Sequence, residues 1–132
     1  MTITKKEKDQ LMVWANDVIG TSAICNNGAI ISDSYNGQIA AFSVSVALSG
    51  LKPAVALYYS GKGSSDVDKK EIIKLLAAMY NKKHGTQKTA DDFFKAVINA
   101  NERDLPVLKQ EIIEFGIALK FTVRTFKFRG NG

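Results

Sequence analysis

Side chains able to perform acid–base or nucleophilic chemistry are scarce in this sequence. It contains one histidine, His84, and one cysteine, Cys25. A Ser-His-Asp or Cys-His arrangement would have to use His84, which follows two lysines where a helix is expected to end, and a cation there interacts favourably with the helix dipole. One cysteine forms neither an intrachain disulfide nor a cysteine-based zinc site. We therefore expect no catalytic residue, no metal site and no cofactor, so the chain is predicted not to be an enzyme.

Residues 61–64, Gly-Lys-Gly-Ser, invite comparison with a phosphate-binding loop. A Walker loop has a glycine five positions before its Gly-Lys pair, and a serine or threonine directly after the lysine. Those two positions hold Ala56 and Gly63 here, which argues against nucleotide hydrolysis. Lys62, between two glycines, could still meet a phosphate together with neighbouring backbone N–H groups. The alternative is a solvated loop.

Adjacent acidic residues and adjacent tyrosines each have two interpretations. Asp91 and Asp92 come where a helix is expected to begin, so the helix dipole explains them better than acid–base catalysis does. Tyr58 and Tyr59 could stack on nucleic-acid bases. Neighbouring side chains on a helix point in different directions, so we expect at least one of these tyrosines to lie in the core.

The positive charge of the chain is concentrated in two segments. The net charge is +5; residues 52–88 carry eight lysines against three acidic residues, and residues 109–132 carry five basic residues against two acidic ones. In the second segment Lys120, Arg124 and Lys127 recur at i, i+4 and i+7, so they share one face of the last predicted helix. Two interpretations stay open: the cations complement the helix C-terminus, or they form a stripe that binds RNA phosphates.

The lysine-rich first segment adds Lys62, Lys69 and Lys70 as RNA-binding candidates, on local charge density alone. If the chain neutralised three or four phosphates of a single strand, its affinity would fall roughly 20- to 50-fold between about 50 and 200 mM salt. Contacts of this strength are sequence-independent and weak in one copy. They become useful when several copies line one strand, which favours a repeating unit.

The candidate residues are predicted to lie on or next to helices. Hydrophobic spacings of three and four, with few β-branched runs, predict an all-α bundle of about six helices in a single domain, residues 1–132. Thr4-x-x-Glu7 and Thr89-x-x-Asp92 predict two helix starts, and Ser65-x-x-Asp68 a third. The expected helices cover, approximately, residues 4–25, 34–49, 52–60, 65–83, 89–98 and 104–127.

The second predicted helix is apolar or small on nearly all sides. Ile39, Phe42, Val46 and Ser49 share one face, and much of the remainder is alanine and serine. A helix of this kind is typical of the buried centre of a bundle, and we expect it there.

No stretch of the sequence reaches the about 20 apolar residues that cross a membrane. The first residues include lysines, but no apolar segment typical of a signal peptide follows them. We therefore expect a cytoplasmic protein without a membrane partner.

Three segments of this sequence resemble a known family. Residues 34–42 read Ser-Tyr-Asn-Gly-Gln-Ile-Ala-Ala-Phe, and residues 49–60 continue as Ser-Gly-Leu-Lys-Pro-Ala-Val-Ala-Leu-Tyr-Tyr-Ser. A tyrosine-containing helix, a Gly-Leu-x-Pro turn and a short apolar helix ending near Lys-Gly resemble the small subunit of the type III-B CRISPR RAMP-module effector, the Cmr complex. Residues 118–126, Ala-Leu-Lys-Phe-Thr-Val-Arg-Thr-Phe, are similar to the closing helix of that family.

The resemblance covers about half of the chain, mainly residues 34–63 and 104–127. The loop after residue 60 and the fifth helix do not match, and Lys52 stands where many family members carry an apolar residue. The resemblance implies a non-catalytic subunit of an RNA-guided antiviral complex, whose copies stack into a short filament and contact crRNA and target RNA. It implies other RAMP-module subunits as partners: backbone subunits that carry the crRNA and cleave the target RNA, and a large subunit that performs DNA cleavage and signalling.

Three rivals stand beside this interpretation. In the first, the chain is a protein–protein adaptor whose basic face only keeps it soluble. The second, a helical DNA-binding domain, would need a helix-turn-helix pair, and no short turn precedes a polar, base-reading helix. The third is a small hydrolase, and the single histidine, His84, argues against it.

Overall fold

The computed structural model describes residues 4–22, 24–26, 30–60 and 69–129. Within these ranges the chain forms six helices and three short strands. The helices are α1 (Lys5–Gly20), α2 (Asp33–Ser49), α3 (Leu51–Tyr59), α4 (Lys70–His84), α5 (Ala90–Ile98) and α6 (Leu105–Val123). The strands are β1 (Cys25–Asn26), β2 (Ile30–Ser32) and β3 (Lys127–Arg129).

The helical bundle confirms the predicted all-α class, and local sequence signals explain where two of its helices begin. In α1 the hydroxyl of Thr4 accepts a hydrogen bond from the Glu7 backbone N–H at 3.1 Å, and the Glu7 carboxylate accepts one from the Thr4 N–H. Thr89 and Asp92 form the same reciprocal box at the start of α5. Both boxes satisfy N–H groups that have no partner within the helix. The predicted cap at Ser65 and Asp68 lies outside the described residues.

The centre of the bundle is the junction of α6 with α1 and α2. Phe42 of α2, Phe93 of α5 and Phe115 of α6 are among the largest fully buried side chains. The hydroxyl of Thr122 in α6 lies 3.7 Å from the sulfur of Met12 in α1. Helix α6 therefore packs against several neighbouring helices, and Leu119, Thr122 and Val123 keep one side of its last turn buried.

Helix α2 is only partly buried, so the prediction that it is the enclosed centre is wrong. Ile39, Phe42 and Val46 are buried as predicted, whereas Ser49 is exposed. The opposite face is open to solvent: 57% of Val44 and 81% of Leu48 are accessible. The physical reason is that α3 and α6 pack on one side of α2 and no described element covers the other.

A small sheet at one end of the bundle is absent from the sequence-based expectations. Strand β2 pairs antiparallel with β1 and parallel with β3, in the order β1-β2-β3. Two predicted helix ends were consequently too late. Helix α1 stops at Gly20, so Cys25 belongs to β1, and α6 stops at Val123, so Lys127 belongs to β3.

Candidate nucleic-acid interface

Lys120 and Arg124 occupy the last turn of α6 and the residue that caps it. Arg124 follows the helix in right-handed helical conformation, with φ −70° and ψ −16°, so it remains one turn beyond Lys120 on the same side. Arg124 is exposed and Lys120 is half-buried. Neither makes an ion pair with another residue in the part of the chain that the structure describes. The predicted pair of cations is therefore present and is not neutralised there.

Lys127 does not continue this helical face, and the predicted i, i+4, i+7 stripe is wrong at its third position. The backbone of Thr125 hydrogen-bonds the carbonyl of Thr122 at 2.9 Å, and that of Phe126 bonds the carbonyl of Val123 at 3.2 Å. These i to i−3 bonds tighten and end the helix. The chain then becomes extended, and Lys127 pairs with Ile30 across the parallel β2–β3 ladder.

An exposed aromatic ring lies beside the two cations and was missed from the sequence. Phe121 is 51% accessible, and the Nζ atom of Lys120 lies 5.6 Å from the centre of its ring. The signal was present in the spacing. The last helix has a seam of apolar positions that repeat every three or four residues, namely Leu105, Leu108, Ile112, Phe115, Leu119, Thr122 and Phe126. Phe121 falls between the seam positions Leu119 and Thr122, which are both buried. We call Lys120, Phe121 and Arg124 the α6 tip.

Two lysine candidates of the first basic segment, Lys69 and Lys70, already have partners. The Nζ atom of Lys69 lies 5.4 Å from the ring centre of Tyr58, and that of Lys70 lies 4.6 Å from the ring centre of Tyr59. Lys70 is also 4.0 Å from the carboxylate of Asp91. These contacts hold Lys69 and Lys70 beside α3 and α5, and none of these contacts involves the α6 tip. Lys62 lies outside the described residues.

The two tyrosines have no open ring face for a nucleic-acid base. Tyr58 is buried against Phe42, with ring centres 5.2 Å apart and the planes nearly perpendicular, which confirms that one tyrosine lies in the core. Tyr59 stacks on Phe94 at 4.1 Å, and Lys70 also lies over the Tyr59 ring. Its hydroxyl donates to the Asp91 carboxylate, and this bond raises the pKa of Tyr59 above its usual value. These contacts join α3, α4 and α5.

His84 is part of a structural ion-pair cluster between α4 and α6. Its Nε2 lies 3.0 Å from both carboxylate oxygens of Glu111, and the Nζ of Lys83 lies 2.8 Å from one of them. The predicted helix end is confirmed, with Gly85 in left-handed conformation at φ 67°. In the same turn Lys82 pairs with Asp17 of α1. Several lysines of α4 therefore neutralise acidic residues on neighbouring helices.

Glu111→Gln is expected to lower the free energy of unfolding by about 1–2 kcal/mol, because the Glu111 side chain is only 11% exposed and loses its contacts with Lys83 and His84 on another helix. Urea denaturation at low and high salt measures this, and the cost should shrink at high salt. The matched control is Glu71→Gln, whose carboxylate is 12% exposed and pairs with Lys74 on the same helix. The control should cost about 0.5 kcal/mol or less. Equal costs would contradict a tertiary role for the cluster.

One groove between described helices is too small for a typical small-molecule ligand. A groove of about 90 Å³ between α1 and α4 is lined by Glu7, Gln10, Leu11, Trp14 and Lys83. This is well below the roughly 300 Å³ at which small-molecule sites begin. Among the described residues, no three His, Cys, Asp or Glu side chains are grouped as a metal site would require. The helices that the structure describes include none with the length and apolar character of a membrane span.

Comparisons with protein-family models, with curated proteins and with solved structures gave no match to this chain. The resemblance to the Cmr small subunit therefore rests on the sequence motifs of residues 34–63 and 104–127.

Proposed function

We propose that this chain is a non-catalytic, RNA-contacting small subunit of a type III-B CRISPR effector complex. The α6 tip is the observation that supports RNA contact. Lysines on α4 are paired with Asp17, Glu71, Asp91 and Glu111, whereas Lys120 and Arg124 have no acidic partner among the described residues. Cations without a local counter-charge are the ones free to neutralise phosphates.

The composition of the tip suits a single strand better than a duplex. Phe121 exposes half of its surface beside Lys120 and Arg124. Proteins that bind single-stranded nucleic acid combine cations that follow the backbone with aromatic rings on which bases stack. Lys120 and Arg124 would contact phosphates while Phe121 offers a ring to one base. The negative end of the α6 dipole opposes phosphate binding, so the side-chain cations must supply the attraction.

The test uses the assembled effector complex and its target RNA. Substituting glutamate for Lys120, Arg124 and Lys127 should weaken RNA retention by the complex and lower the salt dependence of RNA binding. The slope of log K against log salt should fall by about 0.7 for each phosphate that the variant no longer neutralises. The charge-matched control reverses three exposed lysines that make no ion pair with other described residues: Lys5, Lys6 and Lys95. Unchanged retention by the triple variant would remove the RNA assignment.

The family part of the proposal has its own test. Co-expression with RAMP-module subunits should give a complex that contains this chain in stoichiometric amount. A chain that stays outside the complex would contradict the Cmr assignment whatever its affinity for RNA. Genes for RAMP-type subunits and a CRISPR array beside this gene would support it.

One observation favours a second candidate, a protein–protein adaptor. Between Gly37 and Leu48, the exposed face of α2 carries Val44 and Leu48 and no charged residue, as is common at the centre of protein interfaces. An adaptor would keep its protein partners when the three cations of the test above are reversed, and would show no RNA contact.

A further inference from the structure

The exposed face of α2 has the spacing of a helix-pairing seam. Gly37, Ala41, Val44 and Leu48 are all exposed, and they follow one another at intervals of four, three and four residues. This is the repeat with which two helices pack side chains into each other's gaps. A β-carbon at Gly37 would meet nothing within 4 Å, so the seam is open at its N-terminal end. We call these four residues the α2 seam.

The lack of charged residues on the α2 seam limits which partners it can bind. Residues 34–60 contain a single charged residue, Lys52, in a chain of net charge +5. The Lys52 ammonium is occupied, since it donates to the carbonyl of Ala100 at 2.8 Å. RNA or an acidic protein would find no cation on the seam. Two copies of this positively charged chain would repel each other at most faces, and an uncharged face is where their approach costs least.

The seam is also complementary to itself in shape. If a second copy lies antiparallel, with the two-fold axis between Ala41 and Val44, each Leu48 faces Gly37 of the other copy and each Val44 faces Ala41. Every large side chain then meets a small one. A parallel pair would place Leu48 on Leu48 and leave both Gly37 positions empty. We propose that the chain forms a two-fold symmetric dimer through antiparallel pairing of its α2 seams.

The seam is small, which limits the strength of such a dimer. The helix rises about 17 Å between Gly37 and Leu48, and a helix is about 10 Å wide. That strip is smaller than the roughly 800 Å² per partner of a stable complex. The dimer should therefore be weak, with a dissociation constant on the order of 100 μM. Because the contact is isologous it closes on two copies, and it is independent of the proposed RNA contact at the α6 tip.

Sedimentation equilibrium of the purified full chain, at concentrations below and above this dissociation constant, is the first experiment. The wild type should show a concentration-dependent monomer–dimer equilibrium. Leu48→Glu, which places a charge in the seam, and Gly37→Leu, which fills the space that Leu48 of the second copy would take, should both shift it at least tenfold toward monomer. Val107→Glu is the matched control, since Val107 is 68% exposed on α6 away from the seam, and it should leave the equilibrium unchanged. Circular dichroism establishes that each variant is folded.

Cross-linking tests the antiparallel register. In a Cys25→Ala background, chains with Ala41→Cys mixed with chains with Val44→Cys should form disulfide-linked heterodimers faster than either chain forms homodimers. Faster homodimers would indicate parallel pairing and overturn the register. A wild type that stays monomeric at these concentrations, or a dimer that Leu48→Glu leaves intact, would overturn the proposal. A monomer that instead binds a different protein through this face would do the same.

Discussion

Gly116→Leu is expected to lower the free energy of unfolding by about 3 kcal/mol, because it adds a side chain where two helices touch. Gly116 is buried in α6 against α2. A β-carbon at this position would lie 2.9 Å from the Oγ of Ser43 and 3.8 Å from the ring of Phe42. Phe42 is fully buried and cannot move aside without displacing Tyr58. Urea denaturation followed by circular dichroism measures the loss.

The same substitution at Gly37 is the matched control. Gly37 also lies inside a helix, yet a β-carbon there would meet nothing within 4 Å. Gly37→Leu should leave the stability unchanged or raise it by up to about 1 kcal/mol, because leucine favours helix more than glycine does. Both proteins are compared at concentrations well below the expected dissociation constant of the dimer. Similar losses in the two variants would contradict a specific close approach at Gly116.

The contact with Ser43 can be isolated by a double-mutant cycle. The Ser43 Oγ is buried without a hydrogen-bond partner among the described residues, so Ser43→Ala alone should be neutral or slightly stabilising. Gly116→Ala with Ser43→Ala should be more stable than the sum of the two single changes, with a coupling of about 1 kcal/mol. Additive behaviour would mean that Ser43 turns away from the new β-carbon at no cost.

Stability is expected to fall steeply in alkaline solution, and Tyr58 should be a main cause. Burial raises the pKa of Tyr58 above its usual value of 10.0. Its ring packs on Phe42, and its hydroxyl donates to the carbonyl of Gln38 at 3.3 Å. Because the folded-state pKa is the higher one, the stabilisation is fully present below about pH 10 and is lost as the pH rises toward the folded-state pKa.

Comparison with Tyr58→Phe separates this effect from the titration of the lysines. At neutral pH the variant should lose about 1 kcal/mol with the hydrogen bond. Between about pH 9 and about pH 11 its urea midpoint should fall less than that of the wild type, because phenylalanine does not ionise. Tyr59→Phe should also make the urea midpoint fall less steeply with pH, since the Asp91 carboxylate raises the pKa of Tyr59. Parallel curves for the wild type and Tyr58→Phe would contradict the assignment.

The helix class and most helix starts were predictable because their causes are local. Thr4 and Thr89 cap helices through residues three positions later, and the seam of α6 repeats every three or four residues. The buried positions Ile112, Phe115 and Leu119 of that seam follow directly from the repeat. Contacts of this range are encoded in a few neighbouring side chains.

The end of α6 was not predictable because its cause is distant in the sequence. Nothing near Lys127 forbids another helical turn. The chain leaves the helix there and pairs with β2, a strand from the first quarter of the protein. The burial of α2 was mispredicted for a similar reason. Its composition indicated burial on all sides, but burial depends on which helices pack against it, and none of the described helices covers Val44 and Leu48.

The candidate site likewise has features that the sequence predicts and features that depend on how the helices pack. The spacing of Lys120 and Arg124 is enough to predict that they share one side of a helix end, since one helical turn separates them. Which basic residues lack an acidic partner depends instead on how the helices pack. Lys70 and Lys83 meet Asp91 and Glu111 on other helices, whereas the α6 tip meets no acidic side chain in the described part of the chain. The reason is physical: whether a cation is neutralised depends on distances of a few ångströms between helices, which spacing along one helix does not contain.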